Sequence, residues 1–320
     1  MPDATISTVS FAQIRRDARI IAERAAHVGV LTKEITDLAA AFVQPPASRL
    51  PHGVAAEHVP DFLLMLATLR FGSGYEPKLR LAPGMTAAGA LEAALVARCA
   101  EQGLPAPREM AAATLADVAR LRGIGVEDGP QAEFAELQLR ALRDLGRFLL
   151  ERPDAAVERL IASAEGSAVR LVETLATMPF FHDVQRYRGM DAHFFHRGQR
   201  FVLDVAAACD GRGAGRFDDQ HELAPSSDAE CALALRAAGV LVFDDPLKDR
   251  VDSGEIVPAH SEREVEIRAA TVHAADRLLT AVQARLPEAT AADVDRWLRL
   301  RAADARRAGR EPHRTRSVHY

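Results

Sequence analysis

The chain has 320 residues, of which 48% are hydrophobic, and this is enough to bury a large core in one domain or in two interlocked ones. Its net charge of -5 argues against a protein that is held to nucleic acid by a generally basic surface. No apolar run is long enough to span a membrane, and MPDATISTVSF lacks the basic and apolar regions of a signal peptide. Cys99, Cys209 and Cys231 are too far apart for a zinc motif or a disulfide framework, so we expect free thiols in a cytoplasmic protein without a metal.

The first half of the sequence predicts a series of helices. A capping box at Ser10 precedes apolar residues at helical spacing, and Thr32 begins a second helix that extends through Phe42. A third apolar segment, at residues 59–71, ends in a Gly-Ser-Gly turn that fits either an ordinary helix end or a close approach of a ligand. Further helices are expected at residues 86–102, after Thr114, at 130–150 and at 154–178, the last interrupted near Gly166.

The second half also reads as helical. Residues 194–211 predict a largely buried helix, a short strand is expected at residues 240–243, and further helices begin near Ser227, Ser261 and Thr290. Alanine is abundant and period-two alternation is scarce, so the expected fold class is mainly α, a multi-helix globular fold with at most a short β element. A boundary near residue 180 would divide the chain into helical parts at 1–180 and 181–320, unless it forms one single domain.

Five motifs in the second half resemble the queuosine salvage family, in the family's order. They are FFHRGQRFVLDV (194–205), GRGAGRF (211–217), EVEIRAATVHA (264–274), VDRWL (294–298) and the final HRTRSVHY (313–320). The first half agrees more loosely, through LRFGSGYEP (69–77) and PFFHD (179–183). Together the motifs extend the resemblance over nearly the whole chain.

The resemblance implies a helical fold distantly similar to the helix-hairpin-helix DNA glycosylases. It also implies hydrolysis of queuosine 5'-phosphate, or of a related 7-deazaguanosine nucleotide, to queuine and ribose 5-phosphate. We therefore expect a small-molecule nucleotide substrate, no cofactor and no stable complex with nucleic acid. Two other functions stay open: a nucleotide-binding protein that has lost catalysis, and a glycosylase-like module for tRNA or DNA. The arginines of residues 296–316 suggest the latter, although such a run is also typical of a solvated helix face.

Catalysis is assigned by the resemblance to Asp228, which matches the family's key carboxylate, and to His196, which stands where the family has a lysine. With Ser227 as the cap, Asp228 is expected in the first turn of a helix, where the helix dipole favours its ionised form. The same pattern also fits a helix cap without a catalytic role, and His196 also fits a core histidine with a satisfied partner. The Phe, Tyr and Arg that flank the family's aspartate are absent, since the run here reads SSDAE.

Several further residues are assigned to substrate binding. Asp204, two helical turns after His196, is expected to bind a ring N–H of the ligand or an internal arginine. Glu266 is expected to face the site. Asp295 corresponds to a family aspartate near the base pocket, or else pairs with Arg299 four residues on. The remaining assignments are Ser226, Ser227 and Arg268, the 5'-phosphate candidates Arg314, Arg316 and Tyr320, and His52, which matches a family histidine.

Overall fold

The computed structural model describes residues 10–46, 53–79, 81–82, 84–122 and 129–320. Within these ranges the protein contains fourteen α-helices and four short strands, which confirms the expected mainly α fold. The abundance of alanine accounts for this, because alanine has the best helix propensity and lets helices approach one another closely. Among the described helices, none combines the length and the apolar character that crossing a membrane requires.

The helix bounds are as follows. The first seven are α1 (Phe11–Arg24), α2 (Thr32–Ala40), α3 (Val59–Leu69), α4 (Ala87–Glu101), α5 (Pro107–Ala111), α6 (Leu115–Arg122) and α7 (Pro130–Leu150). The others are α8 (Val157–Ser163), α9 (Ala168–Leu175), α10 (His196–Ala208), α11 (Ala229–Ala237), α12 (Asp245–Asp252), α13 (Glu262–Gln283) and α14 (Ala291–Arg307). Short 3-10 helices occupy Ala56–His58, Ser73–Lys78, Pro153–Ala155, Gly213–Gly215 and Gln220–Glu222.

Most helix ends lie where the sequence places them. The Ser10 hydroxyl accepts a hydrogen bond from the Gln13 N–H and caps α1, and α7 has the expected bounds. The interruption expected near Gly166 separates α8 from α9, and this glycine has a φ of +77°, a conformation that side chains disfavour. The expected length of α2 is wrong, since it ends at Ala40 and does not reach Phe42.

The four strands form two antiparallel pairs. The expected strand at residues 240–243 is confirmed as β4 (Leu241–Phe243), which pairs with β1 (Val28–Val30) from the other half of the sequence. A hairpin of β2 (Val184–Tyr187) and β3 (Met190–His193) was not predicted, because its residues are mostly polar and show little alternation. The hairpin leads directly into α10.

Helix α13 lies between two hydrophobic cores. Val265, Ala269 and Val272, on one face, belong to a core that includes Phe62, Phe134 and Phe201 of α3, α7 and α10. The opposite face packs into a second core formed with α2, α11 and α14. Because both faces are covered, every residue of this helix from 264 to 272 is buried, although several of them are charged or polar. Its buried polar residues therefore need internal partners.

Candidate active site

A cleft with about 630 Å³ of empty space opens where the end of α3 meets the amino termini of α10 and α11. His196 and Arg200 of α10 contribute to its wall, as do Asp228 at the start of α11 and Arg299 of α14. Charged side chains are numerous in the wall, which suits a polar, charged ligand more than an apolar one.

Asp228 is the N-cap residue of α11. Its carboxylate accepts a hydrogen bond from the Cys231 N–H at 2.8 Å and forms an ion pair with Arg299. The expectation that Ser227 caps this helix is wrong, because the Ser227 hydroxyl instead accepts a hydrogen bond from Arg268. Burial alone would raise the pKa of Asp228, but the Arg299 guanidinium, His196 and the Cys231 N–H together hold it well below its usual range. The carboxylate is therefore ionised at any physiological pH.

His196 is the first residue of α10 and also lines the cleft. Its Nδ1 lies 3.1 Å from the Ser226 hydroxyl oxygen, so Ser226 is the hydrogen-bond partner of this histidine. Burial lowers the pKa of His196 to about 3, despite the opposing effect of Asp228. At neutral pH the imidazole is uncharged, and it can offer its second ring nitrogen to a ligand.

A buried ion pair lies behind the wall and fixes the segment that contains Asp228. Arg268 donates hydrogen bonds to both carboxylate oxygens of Asp183, at 2.9 and 2.5 Å, and a further one to the Ser227 hydroxyl at 3.1 Å. The Arg268 guanidinium also lies 3.9 Å from the centre of the Phe194 ring. Arg268 is fully buried and faces these partners, so it supports the wall of the cleft and does not form it.

Asp295 supports the same segment from α14. Both of its carboxylate oxygens accept the Ser226 N–H, at 3.0 and 3.1 Å. Arg299, the partner expected four residues on, forms its ion pair with Asp228 instead. Burial raises the pKa of Asp295 to about 7, although Arg299 opposes this rise. The carboxyl group of Asp295 therefore titrates near neutral pH beside the ionised Asp228.

Of the two partners expected for Asp204, a ring N–H of the ligand or an internal arginine, the structure shows arginine. Its carboxylate accepts the Arg200 Nε–H at 2.9 Å and lies 3.7 Å from Nη1 of Arg70. Burial would raise the pKa of Asp204, but Arg200 and Arg70 lower it. Both arginines line the cleft, whereas Asp204 holds them from behind.

A separate group of charges contributes to the wall beside α11. Arg306 of α14 pairs with Glu230 at 2.5 Å and lies 3.7 Å from Glu76. Glu76 also accepts the Ala87 N–H at 2.8 Å, at the start of α4. Glu311 lies 3.3 Å from the same guanidinium, so three carboxylates face one arginine, and the charge balance is opposite to that around Asp204.

Three further sequence-based candidates, Glu266, Arg314 and Arg316, do not line the cleft. Glu266 is buried, where it accepts the N–H groups of residues 26 and 27 and the Tyr187 hydroxyl, because it projects from a different face of α13 than Arg268 does. Arg314 donates to the Gly254 carbonyl and Arg316 to Glu133, so neither lines the cleft. His52 lies outside the described residues. Tyr320 does line the cleft, but its hydroxyl donates to Glu264.

The arginines of residues 296–316 are largely paired within the chain. Arg299 contacts Asp228, Arg306 contacts Glu230 and Arg307 contacts Asp304. Sequence reasoning missed Arg70, Glu76 and Arg200 as cleft residues, although two of the quoted motifs, LRFGSGYEP and FFHRGQRF, contain them. Across the part of the chain that the structure describes, no three His, Cys, Asp or Glu side chains are grouped so that they could hold a metal ion.

Comparison with known proteins relates this cleft to one family. The family described as "Queuosine salvage protein" matches residues 57–320. A protein of Sphaerobacter thermophilus named queuosine 5'-phosphate N-glycosylase/hydrolase is 33% identical over 318 residues, covering 94% of this chain and 96% of its own. Proteins of the same name are 32% identical in Dictyostelium discoideum, over 57% of each chain, and 26% identical in Schizosaccharomyces pombe, over 51% of this chain and 47% of theirs. The chain therefore belongs to the queuosine salvage protein family.

Proposed function

We propose that this protein hydrolyses the N-glycosidic bond of queuosine 5'-phosphate, or of a related 7-deazaguanosine nucleotide, to queuine and ribose 5-phosphate for queuine salvage. Curated members of the same family carry the name of this activity. The observation that carries the proposal is the carboxylate of Asp228, which is buried, ionised and placed in the wall of a cleft with many charged side chains.

The chemistry requires a fixed negative charge beside the sugar. When the bond between C1' and the base nitrogen breaks, its electron pair leaves with the base and positive charge develops on the ribose. A water molecule adds its oxygen to C1' and loses one proton, and the departing base nitrogen takes up a proton. Queuine is a 7-deazapurine without an N7 to protonate, so stabilisation of the charged sugar carries much of the catalysis. We assign this stabilisation, and the orientation of the water, to Asp228.

His196 is assigned a hydrogen bond to the departing base. Its uncharged ring is oriented by Ser226 through Nδ1, which leaves Nε2 for a contact with the ligand. Ser226, Ser227, Arg268 and Asp295 are then positioning residues, because their contacts fix the segment that precedes α11.

The proposal is tested by incubating the purified protein with queuosine 5'-phosphate and following the release of queuine by chromatography. Asp228→Asn is the matched variant, because asparagine caps a helix about as well as aspartate and the fold is expected to survive. We expect release by the wild type and a large loss in the variant. Absence of release by the wild type, or equal release by both proteins, would overturn the proposal.

A second candidate function is nucleotide binding without catalysis. The observation that favours it is the ion pair between Asp228 and Arg299, which occupies the carboxylate that the reaction needs. The same substrate distinguishes the two functions. A nucleotide-binding protein would show a raised melting temperature with queuosine 5'-phosphate and no release of queuine, whereas an enzyme would show turnover.

A further inference from the structure

The positive charges in the cleft are not evenly neutralised. Arg306 forms ion pairs with three carboxylates, and Arg299 forms one with Asp228. Arg70 and Arg200, in contrast, share the single carboxylate of Asp204. This group therefore carries one positive charge in excess. Glu92 also affects the pKa of Arg70, but less than Asp204, Arg200 and Arg299 do.

The hydrogen bonds of the two arginines leave donors free. Arg200 contacts Asp204 through Nε, and its two terminal nitrogens donate no hydrogen bond to any residue in the described ranges. The Arg70 guanidinium lies 3.7 Å from Asp204, which is too long for a hydrogen bond. Both side chains line the cleft and are about a quarter exposed, at 24% for Arg70 and 23% for Arg200. Asp204 thus fixes two guanidinium groups from behind while their remaining N–H groups stay available.

This arrangement leaves the partly buried Arg70 without a carboxylate at hydrogen-bond distance among the described residues. Burial lowers the pKa of Arg70 to about 10 even though Asp204 opposes this effect, so the side chain stays charged at neutral pH in a poorly solvated place. Arg200 and Asp204 form an i,i+4 ion pair on α10, and each neutralises the charge of the other without Arg70. A second cation beside a paired carboxylate is therefore better explained by a ligand than by stability of the fold.

We propose that Arg70 and Arg200, positioned by Asp204, form the subsite for the 5'-phosphate of the substrate. The inference rests on the function proposed above and adds a binding site to it. Guanidinium groups match phosphate oxygens in bidentate geometry, and the positive charge that Asp204 leaves in excess would offset part of the charge of a phosphate dianion. Arg200 lies one helical turn after His196, so the phosphate would bind beside the catalytic residues.

Other arginines fit this role less well. Arg314 donates to the Gly254 carbonyl and Arg316 pairs with Glu133, and neither lines the cleft. Arg306 lines it but contacts Glu230 and Glu76, whose negative charges would repel a phosphate. The 5'-phosphate that the sequence assigns to the last residues of the chain is thus reassigned to α10 and the end of α3.

The first experiment measures binding of ribose 5-phosphate by isothermal titration calorimetry to the wild type, Arg70→Gln and Arg200→Gln. Arg307→Gln is the control, because its side chain is 72% exposed, pairs with Asp304 and does not line the cleft. We expect each cleft variant to bind about tenfold to 100-fold more weakly, the effect of losing one or two charge-assisted hydrogen bonds, and the control to bind like the wild type. Arg70 forms no short hydrogen bond through its side chain to any described residue, so its variant is expected to fold even if Arg200→Gln does not.

The second experiment compares KM for queuosine 5'-phosphate and for queuosine, which lacks the phosphate. The cleft variants should raise KM for the nucleotide and leave KM for the nucleoside within about twofold, so that the preference for the nucleotide disappears. An equal loss for both compounds, or unchanged binding of ribose 5-phosphate, would overturn the subsite. If the wild type releases no queuine, the proposed function fails, yet the calorimetric comparison still decides whether the two arginines bind phosphate.

Discussion

Replacing Arg299 by methionine tests how Asp228 is kept ionised. The substitution keeps an unbranched stem and removes the cation that pairs with Asp228. Burial then acts on the carboxylate without its main opponent, so the pKa of Asp228 is expected to rise. A cation at contact distance usually lowers a carboxyl pKa by about one to three pH units, which corresponds to roughly 1.4–4 kcal/mol. The Asp228 carboxylate of the variant should therefore take up a proton at a correspondingly higher pH.

The assay is kcat/KM for release of queuine, measured from about pH 4 to about pH 8. Protonated Asp228 cannot stabilise the charged sugar, so activity of Arg299→Met should be lost at low pH and recover as the pH rises. A rise of the Asp228 pKa by about one to three pH units or more would bring this loss towards the acid end of the measured range, whereas Asp228 of the wild type stays ionised throughout that range. Arg299→Lys, which retains the charge, should behave much more like the wild type. Coincident acid limbs for Arg299→Met and the wild type would refute this reasoning.

Three further predictions concern stability. Asp183→Asn leaves Arg268 charged and fully buried, so the free energy of unfolding measured with urea should fall by about 3–5 kcal/mol, and a change below about 1 kcal/mol would contradict this. Gly74→Ala should lower the melting temperature, because its Cβ would collide with the backbone of Thr315; an unchanged melting temperature would show that this contact gives way. His196, His313 and His319 are buried with lowered pKa values, so between about pH 6.5 and about pH 4 only the unfolded chain protonates them. The free energy of unfolding should therefore fall by about 1.4 kcal/mol per pH unit for each of these histidines as the pH is lowered, while Asp295, whose pKa is raised, offsets one of them. A free energy of unfolding that stays constant from pH 7 to pH 5 would contradict this prediction.

Helices were predictable from the sequence because their signals are local. A capping serine and apolar residues at helical spacing place α1, and proline at its first position places the start of α7. The cap of α11 was predicted wrongly as Ser227, since Ser227 and Asp228 are both good cap residues and the structure has Asp228 there. The Ser227 hydroxyl instead accepts a hydrogen bond from Arg268 of α13, a helix that begins more than thirty residues later in the sequence.

The site was predictable in part. Asp228 and His196 both line the cleft, and the motif that contains Asp204 also contains Arg200. The direction of a side chain on a helix buried on both faces was not predictable, and Glu266 is the example. It is bound by backbone N–H groups that follow α1, and only the packing of α1 against α13 brings them there. Arg70 was missed for a related reason, since its carboxylate partner is supplied by α10.

The most direct test of the central claim is release of queuine from queuosine 5'-phosphate by Asp228→Asn under single-turnover conditions, beside the wild type. Calorimetry with ribose 5-phosphate on the same preparations reports whether the variant is folded and binds. The account predicts normal binding and a rate lowered by about 100-fold to 1000-fold, the usual effect of removing one electrostatic stabiliser of a transition state. Release at the wild-type rate by a variant that binds normally would contradict it.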